Sequence, residues 1–212
     1  MKSNIKIAVL GGSGKAGRYL VSHLVERGYA VRLLLRRPES FSVQSTLIEV
    51  VVGDALDPEA LRTLLEGCQA VISTLGQRKG EPLVASQATR YLLHAMECYG
   101  IRRYLAVVGL NLDTPSDRKR LSTRLSSALM KWAFPKIVAD KQLAYQLLTQ
   151  STLDWTLVRI PYLVQTDALR DIRLSLDDAP GGKISAADLA HFLVDQLDDK
   201  KYLRQVPFIA SN

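Results

Sequence analysis

The feature that most narrows what this chain can fold into is Gly11-Gly12-Ser13-Gly14-Lys15-Ala16-Gly17, set between the apolar run Ile7-Ala8-Val9-Leu10 and a stretch of helical periodicity. Glycines at G-x-x-G-x-x-G spacing answer three needs of a strand-to-helix turn. One makes the tight turn, one lets the backbone approach a pyrophosphate, and one lets helix and strand pack closely. The pyrophosphate would then rest on free N–H groups at the positive end of the helix. Gly11, Gly12, Ser13, Gly14, Lys15, Ala16 and Gly17 are therefore all expected at a dinucleotide.

The rest of the chain alternates short β-branched runs with longer helical segments, the pattern of βαβ units in a parallel sheet. Strands are expected at Lys6–Leu10, Ala30–Leu35, Ile48–Val52, Ala70–Thr74, Tyr104–Val108 and Thr156–Arg159. Between them, helices are expected from about Lys15 to Arg27, after the Asp57-Pro58 cap, and from about Val84 to Tyr99; Gly28, Gly67 and Gly100 stop them. Ser185-Ala186-Ala187-Asp188 has the form of a capping box opening a helix to Leu197. The fold class is α/β, a doubly wound Rossmann-like parallel sheet. With 212 residues and no linker, residues 1–212 read as one domain.

The end of the second strand bears on the kind of dinucleotide. A site for NAD usually places Asp or Glu there for the ribose 2′-hydroxyl, whereas this chain reads Leu35-Arg36-Arg37-Pro38. A guanidinium binds a 2′-phosphate through two charge-assisted hydrogen bonds, so Arg36 and Arg37 point to NADP. Gly53-Asp54 and Ser73-Thr74-Leu75-Gly76 fall at the carboxyl ends of strands bordering the first, where such sheets bind ligand. Asp54 is placed to hold the adenine amino group, and Gly76 to let the chain pass close to the adenosine ribose.

The net charge of +7 suits nucleic acid, an anionic membrane or a phosphorylated ligand equally. No aromatic-basic platform or recognition-helix motif favours nucleic acid, and no run is long and apolar enough to span a membrane, so neither is expected as a partner. His23, His94 and His191 lie in helical segments without ligand spacing, so no metal site is expected, and Cys68 and Cys98 read as reduced thiols of a cytoplasmic protein. Trp155 and Phe208 read as core. No heptad seam or bare strand edge shows an oligomeric state.

Residues 111–137 are harder to read. The first half is polar and basic, and the stretch from Leu125 to Pro135 carries an apolar face with Leu129, Trp132, Ala133 and Phe134. One reading is an amphipathic helix on a membrane or a partner. The other, adopted as the expectation, is a lid over the mouth of the crevice.

Taken together, the glycine turn, the arginine after strand two, Gly53-Asp54, Ser73–Gly76, Leu153–Pro161 and Ile184–Ala190 resemble the atypical short-chain dehydrogenase/reductases. Within them the likeness is to the NAD(P)H-binding group of NmrA-like proteins and the flavin reductase/biliverdin-IXβ reductase. The resemblance places Ala55, Thr74, Leu75, Arg78, Val108, Gly109, Lys141 and Pro161 among the cofactor contacts. It also places Tyr162, just past strand six, by the nicotinamide end, so Lys141 and Tyr162 are the catalytic candidates. Short-chain dehydrogenases pair a serine near the end of strand five with a Tyr-x-x-x-Lys. Lysine lowers the tyrosine pKa and holds the ribose, and tyrosine exchanges the proton. Lys141 matches the lysine, but the tyrosine position is Ile137 and the serine position falls at or near Gly109. That departure disfavours alcohol–ketone chemistry. The resemblance implies an NADPH-dependent reductase of a small conjugated acceptor such as a flavin or bilin, or else a non-catalytic NADP-binding redox sensor or regulatory protein.

Overall fold

The computed structural model describes residues 5–77 and 80–212. Six parallel strands alternate with helices: β1 (Lys6–Leu10), α1 (Gly17–Glu26), β2 (Ala30–Leu35), β3 (Ile48–Val52), α2 (Pro58–Leu65), β4 (Ala70–Ser73), α3 (Ala85–Cys98), β5 (Arg103–Gly109), α4 (Leu121–Ala133), α5 (Pro135–Gln150) and β6 (Asp154–Ile160). β7 (Tyr162–Val164), β8 (Ile172–Ser175), β9 (Lys183–Ser185), α6 (Ala186–Asp195) and β10 (Phe208–Ser211) complete the chain. The eight-stranded sheet runs β3-β2-β1-β4-β5-β6-β10-β8, with only β8 antiparallel, and β7 and β9 form a separate parallel pair. This is a Rossmann-like doubly wound sheet. The direction of strand progression reverses between β1 and β4, and their carboxyl ends therefore define the ligand crevice.

Both faces of the sheet are covered, as a parallel sheet requires. On one face Leu61, Leu64, Leu92, Met96 and Leu148 pack against Ala8, Leu10, Val71 and Trp155. On the other, Leu20, Leu24, Leu189 and Leu193 pack against Ile7, Val9, Leu33 and Phe208's neighbour Ile209. Expected helix stops are met: Gly28, Gly67 and Gly100 all take positive φ. Asp57 caps α2 by accepting from the Glu59 N–H at 2.9 Å, with Pro58 at the first helical position.

One expectation needs correction. At α6 only half a capping box forms: Ser185 Oγ accepts from the Asp188 N–H, but Asp188 does not reach back. Its carboxylate instead accepts from Ser211 Oγ at 2.5 Å and from the Arg170 N–H, and Ser211 Oγ accepts from the Ser185 N–H. An aspartate is one methylene shorter than the glutamate of a full box, and a hydroxyl on β10 bridges the gap. Residues 111–137 contribute no lining to the crevice described below. They form a loop tied down by Asp117, then α4, whose buried side chains are the small polar Thr123 and Ser127, and the first residues of α5. The large apolar side chains of α4, Leu121, Leu125, Leu129 and Trp132, face outward.

Candidate functional site

The glycines of the turn occupy different surroundings. Gly11 has φ +76°, and a Cβ there would lie 2.8 Å from the Thr74 carbonyl of the neighbouring strand end. A Cβ on Gly12 would meet Leu33 Cδ1 at 2.2 Å, and one on Gly17 would meet the Gly11 carbonyl oxygen at 2.1 Å, so these two glycines serve packing. Gly14 differs. Its nearest obstacle is the Gly11 oxygen at 3.1 Å, and it lines a cleft of about 890 Å³ at the carboxyl ends of β1, β2 and β4. Helix α1 begins beside it with Ala16 at its cap, a residue that offers no side-chain acceptor to the first-turn N–H groups. The Arg18 N–H donates to the Gly14 carbonyl at 3.2 Å, and the remaining first-turn donors and the open space above Gly14 fit a pyrophosphate. Thr74 Oγ1 donates toward the Leu10 and Gly11 carbonyls, holding the two strand ends together at the floor of the cleft.

Of the residues expected at the cofactor, Gly11, Ser13, Gly14, Lys15, Ala16, Arg36, Arg37, Asp54, Ala55, Thr74, Leu75, Gly76, Val108, Gly109, Lys141 and Pro161 line this one cleft. Gly12 and Gly17 stand behind it, and Arg78 lies outside the described residues. Tyr162 is not in the lining. Pro161 and Leu163 are, and the alternation of a strand sends the side chain between them the other way, leaving Tyr162 76% exposed. The lining also holds residues that sequence reasoning missed, notably Arg18, Gln77 and Glu81. Arg18 sits one residue past the glycine turn, on the first turn of α1, and its place there was a legible signal. Glu81 had none, being 45 positions from its partner.

That partner is Arg36. Its two Nη groups donate to the two carboxylate oxygens of Glu81, each at 3.0 Å, and Asp54 lies 3.6 Å from Nη1. The hydrogen-bonded Glu81 carboxylate is the main cause that raises the Arg36 pKa. Asp54 itself is organised by an Asx turn, accepting from the Leu56 N–H at 2.8 Å. Gln77 spans the same loop, donating to the Glu81 and Pro82 carbonyls and accepting from the Val84 N–H. Lys15, Arg18, Arg36, Arg37 and Lys141 face the cleft against the carboxylates of Asp54 and Glu81, an excess of positive charge suited to a phosphorylated ligand.

At the far end Lys141 projects from α5. Burial lowers its pKa, with the charge of Asp140 opposing, and no acceptor takes a hydrogen bond from its Nζ among the described residues. Asp140 fixes α5 in place. It accepts from the Ala85 and Ser86 N–H groups and from Ser86 Oγ, so it caps α3 from the neighbouring helix. A smaller apolar recess of about 60 Å³ shares Leu75, Val107, Val108 and Lys141 with the cleft and adds Tyr104 and Tyr145. Burial pushes the Tyr104 hydroxyl up to about 12 and raises that of Tyr145 as well. Neither phenol is tuned toward neutrality.

A family model described as NAD(P)H-binding matches residues 11–200. The chain belongs to this NAD(P)H-binding family. Its cofactor is thus a nicotinamide dinucleotide. The photosystem II assembly factor Ycf39 of Synechocystis sp. is 24% identical over 169 residues, 76% of this chain and 46% of that protein. Among solved structures, the anaerobillin reductase ChuY of Escherichia coli O157:H7 superposes with a TM-score of 0.80 at 21% identity, covering 97% of each chain. A short-chain dehydrogenase/reductase of Veillonella parvula in complex with NADP superposes with a TM-score of 0.77 at 18% identity, covering 98% of this chain and 94% of that one. The chain spans less than half the length of the curated relatives it matches. No helix among the described residues is long and apolar enough to cross a membrane.

Proposed function

We propose that this chain is an NADPH-dependent reductase of a small conjugated acceptor, such as a flavin or a bilin. The observation that carries the cofactor choice is the Arg36 fork at the end of β2, where the chain has no carboxylate and the fork already grips a two-oxygen anion, Glu81. Glu81 has to leave that fork for a 2′-phosphate to enter it. The first N–H groups of α1 and the open face of Gly14 receive the pyrophosphate, and Asp54 receives the adenine. Lys141 holds the hydroxyls of the nicotinamide ribose. Val107, Ile160, Pro161 and Leu163 wall the far end of the cleft with apolar surface that excludes water. A dinucleotide held by these residues would supply the hydride that reduces the acceptor. A conjugated acceptor takes its proton from water, so the lack of a serine at Gly109 and of a tyrosine at Ile137 is tolerated.

NADPH consumption with free flavin as acceptor tests this reading: turnover supports it, and tight NADPH binding without turnover on flavin or bilin overturns it. Tyr145→Phe and Tyr162→Phe are expected to keep single-turnover rates within about threefold of wild type. A loss of a hundredfold or more, about 2.7 kcal/mol of transition-state stabilisation, would identify a tyrosine proton donor. The second reading is a non-catalytic NADP-binding regulatory protein, favoured by the same missing serine and tyrosine and by the likeness to an assembly factor.

A further inference from the structure

Helix α4 is built inside out. Leu121, Leu125, Leu129 and Trp132 recur at helical spacing on one face and are 81%, 75%, 62% and 81% exposed, while the opposite face buries only Thr123 and Ser127 against the protein. Ser127 Oγ donates to the Leu110 carbonyl, and Lys119 donates to the Leu110 and Leu112 carbonyls and pairs with Asp113, so the helix is anchored through polar contacts. From Arg118 to Ala139 the sequence holds six Lys or Arg and no acid. Lys119 and Lys131 are tied to Asp113, and Arg120 lies near Asp178. The side chains of Arg118, Arg124 and Lys136 have no partner among the described residues. The result is a projecting apolar ridge bordered by unneutralised cations.

We propose that this ridge lies flat on an anionic lipid bilayer, with Leu121, Leu125, Leu129 and Trp132 in the acyl boundary and Arg118, Arg124 and Lys136 against the headgroups. The charge pattern decides among occupants. An isologous contact between two copies would set one cationic border against another with no acid on the helix to offset it. An anionic surface complements the border, and a deformable bilayer accepts a lone projecting ridge that offers a protein partner no groove. Tryptophan at the end of the ridge suits the interfacial layer. The helix is too short and too polar on its protein side to cross, so it rests on the surface.

The chain carries its own reporter: of its two tryptophans, Trp155 is buried and Trp132 exposed. The 212-residue chain is mixed with vesicles of phosphatidylcholine alone or with about one-third phosphatidylglycerol, then followed by co-sedimentation and tryptophan emission. Expected results are binding and a blue shift with the anionic vesicles only, with both reversed by high salt. Arg124→Glu/Lys136→Glu and, separately, Leu125→Ser/Leu129→Ser should each weaken binding roughly tenfold or more with unchanged circular dichroism. Three outcomes overturn the proposal. They are no vesicle binding, equal salt-insensitive binding to both vesicle types, and a concentration-dependent dimer abolished by Leu125→Ser/Leu129→Ser without lipid binding, which would assign the ridge to a second copy.

Discussion

Helices α1 and α4 each carry one apolar stripe, yet they use it in opposite ways. In α1, Leu20, Val21 and Leu24 are fully buried between the sheet and α6, and the helix start faces the cleft. In α4 the stripe faces solvent and the protein side is held by Thr123 and Ser127. Amphipathic periodicity reveals that a helix has an apolar face. It does not reveal what that face meets, because that depends on which neighbour the topology supplies. A βαβ crossover guarantees a sheet surface for α1. The excursion after β5 carries no such guarantee.

The largest expected difference between the two regions is in stability. Leu24→Ala should cost about 2–5 kcal/mol through the cavity it leaves, and Leu125→Ala within about 0.5 kcal/mol of nothing. Urea unfolding of both variants checks this, and equal costs would mean that α4 is covered in the isolated protein. A second contrast lies within the glycine turn. Gly14→Val should abolish dinucleotide binding, a loss of at least about a hundredfold or 2.7 kcal/mol, with little effect on the unfolding midpoint. Gly17→Val, whose Cβ would fall 2.1 Å from a backbone oxygen, should instead reduce stability. Circular dichroism and calorimetric titration on the same samples separate the two effects.

The smallest expected effect concerns the far face of α1. His23 is buried and stacks on His191 of α6 with ring centroids 3.6 Å apart. Burial, and then the charge of His191, lowers its pKa below 6.5, with Glu26 opposing. Protons thus bind the unfolded chain more readily between the lowered folded value and 6.5. The stability contributed by neutral His23 is fully present above pH 6.5 and declines as pH falls through that window. His23→Gln should flatten this acid limb in thermal melts taken from pH 7.5 to 5. An unchanged limb would show that other groups set it.

The six parallel strands and the glycine turn were legible because each is a local pattern: a β-branched run, a capping residue, a glycine at positive φ. β7 and β9, three residues each, were not, since a strand that short is defined by its distant partner more than by its own composition. The edge strand β8 reads Ile-Arg-Leu-Ser and lacks the continuous apolar run of a buried strand. In the cleft, the residues next to strand ends could be located from sequence, whereas Glu81 reaches Arg36 from a loop beyond β4. Tyr162 lies outside the cleft lining because the alternation along β7, a strand defined by its pairing with β9, turns it away from the side on which Pro161 and Leu163 lie.

The most direct test is a calorimetric titration of NADPH and NADH into wild type, Arg36→Ala and Glu81→Gln at fixed salt. Wild type should bind NADPH roughly ten- to a hundredfold more tightly than NADH, about 1.5 to 3 kcal/mol for a charge-assisted fork. Arg36→Ala should erase that preference, and Glu81→Gln, by freeing the fork, should strengthen NADPH binding alone. Equal affinities for the two cofactors in wild type, or a preference that survives Arg36→Ala, would contradict the assignment of the β2 end as a 2′-phosphate site.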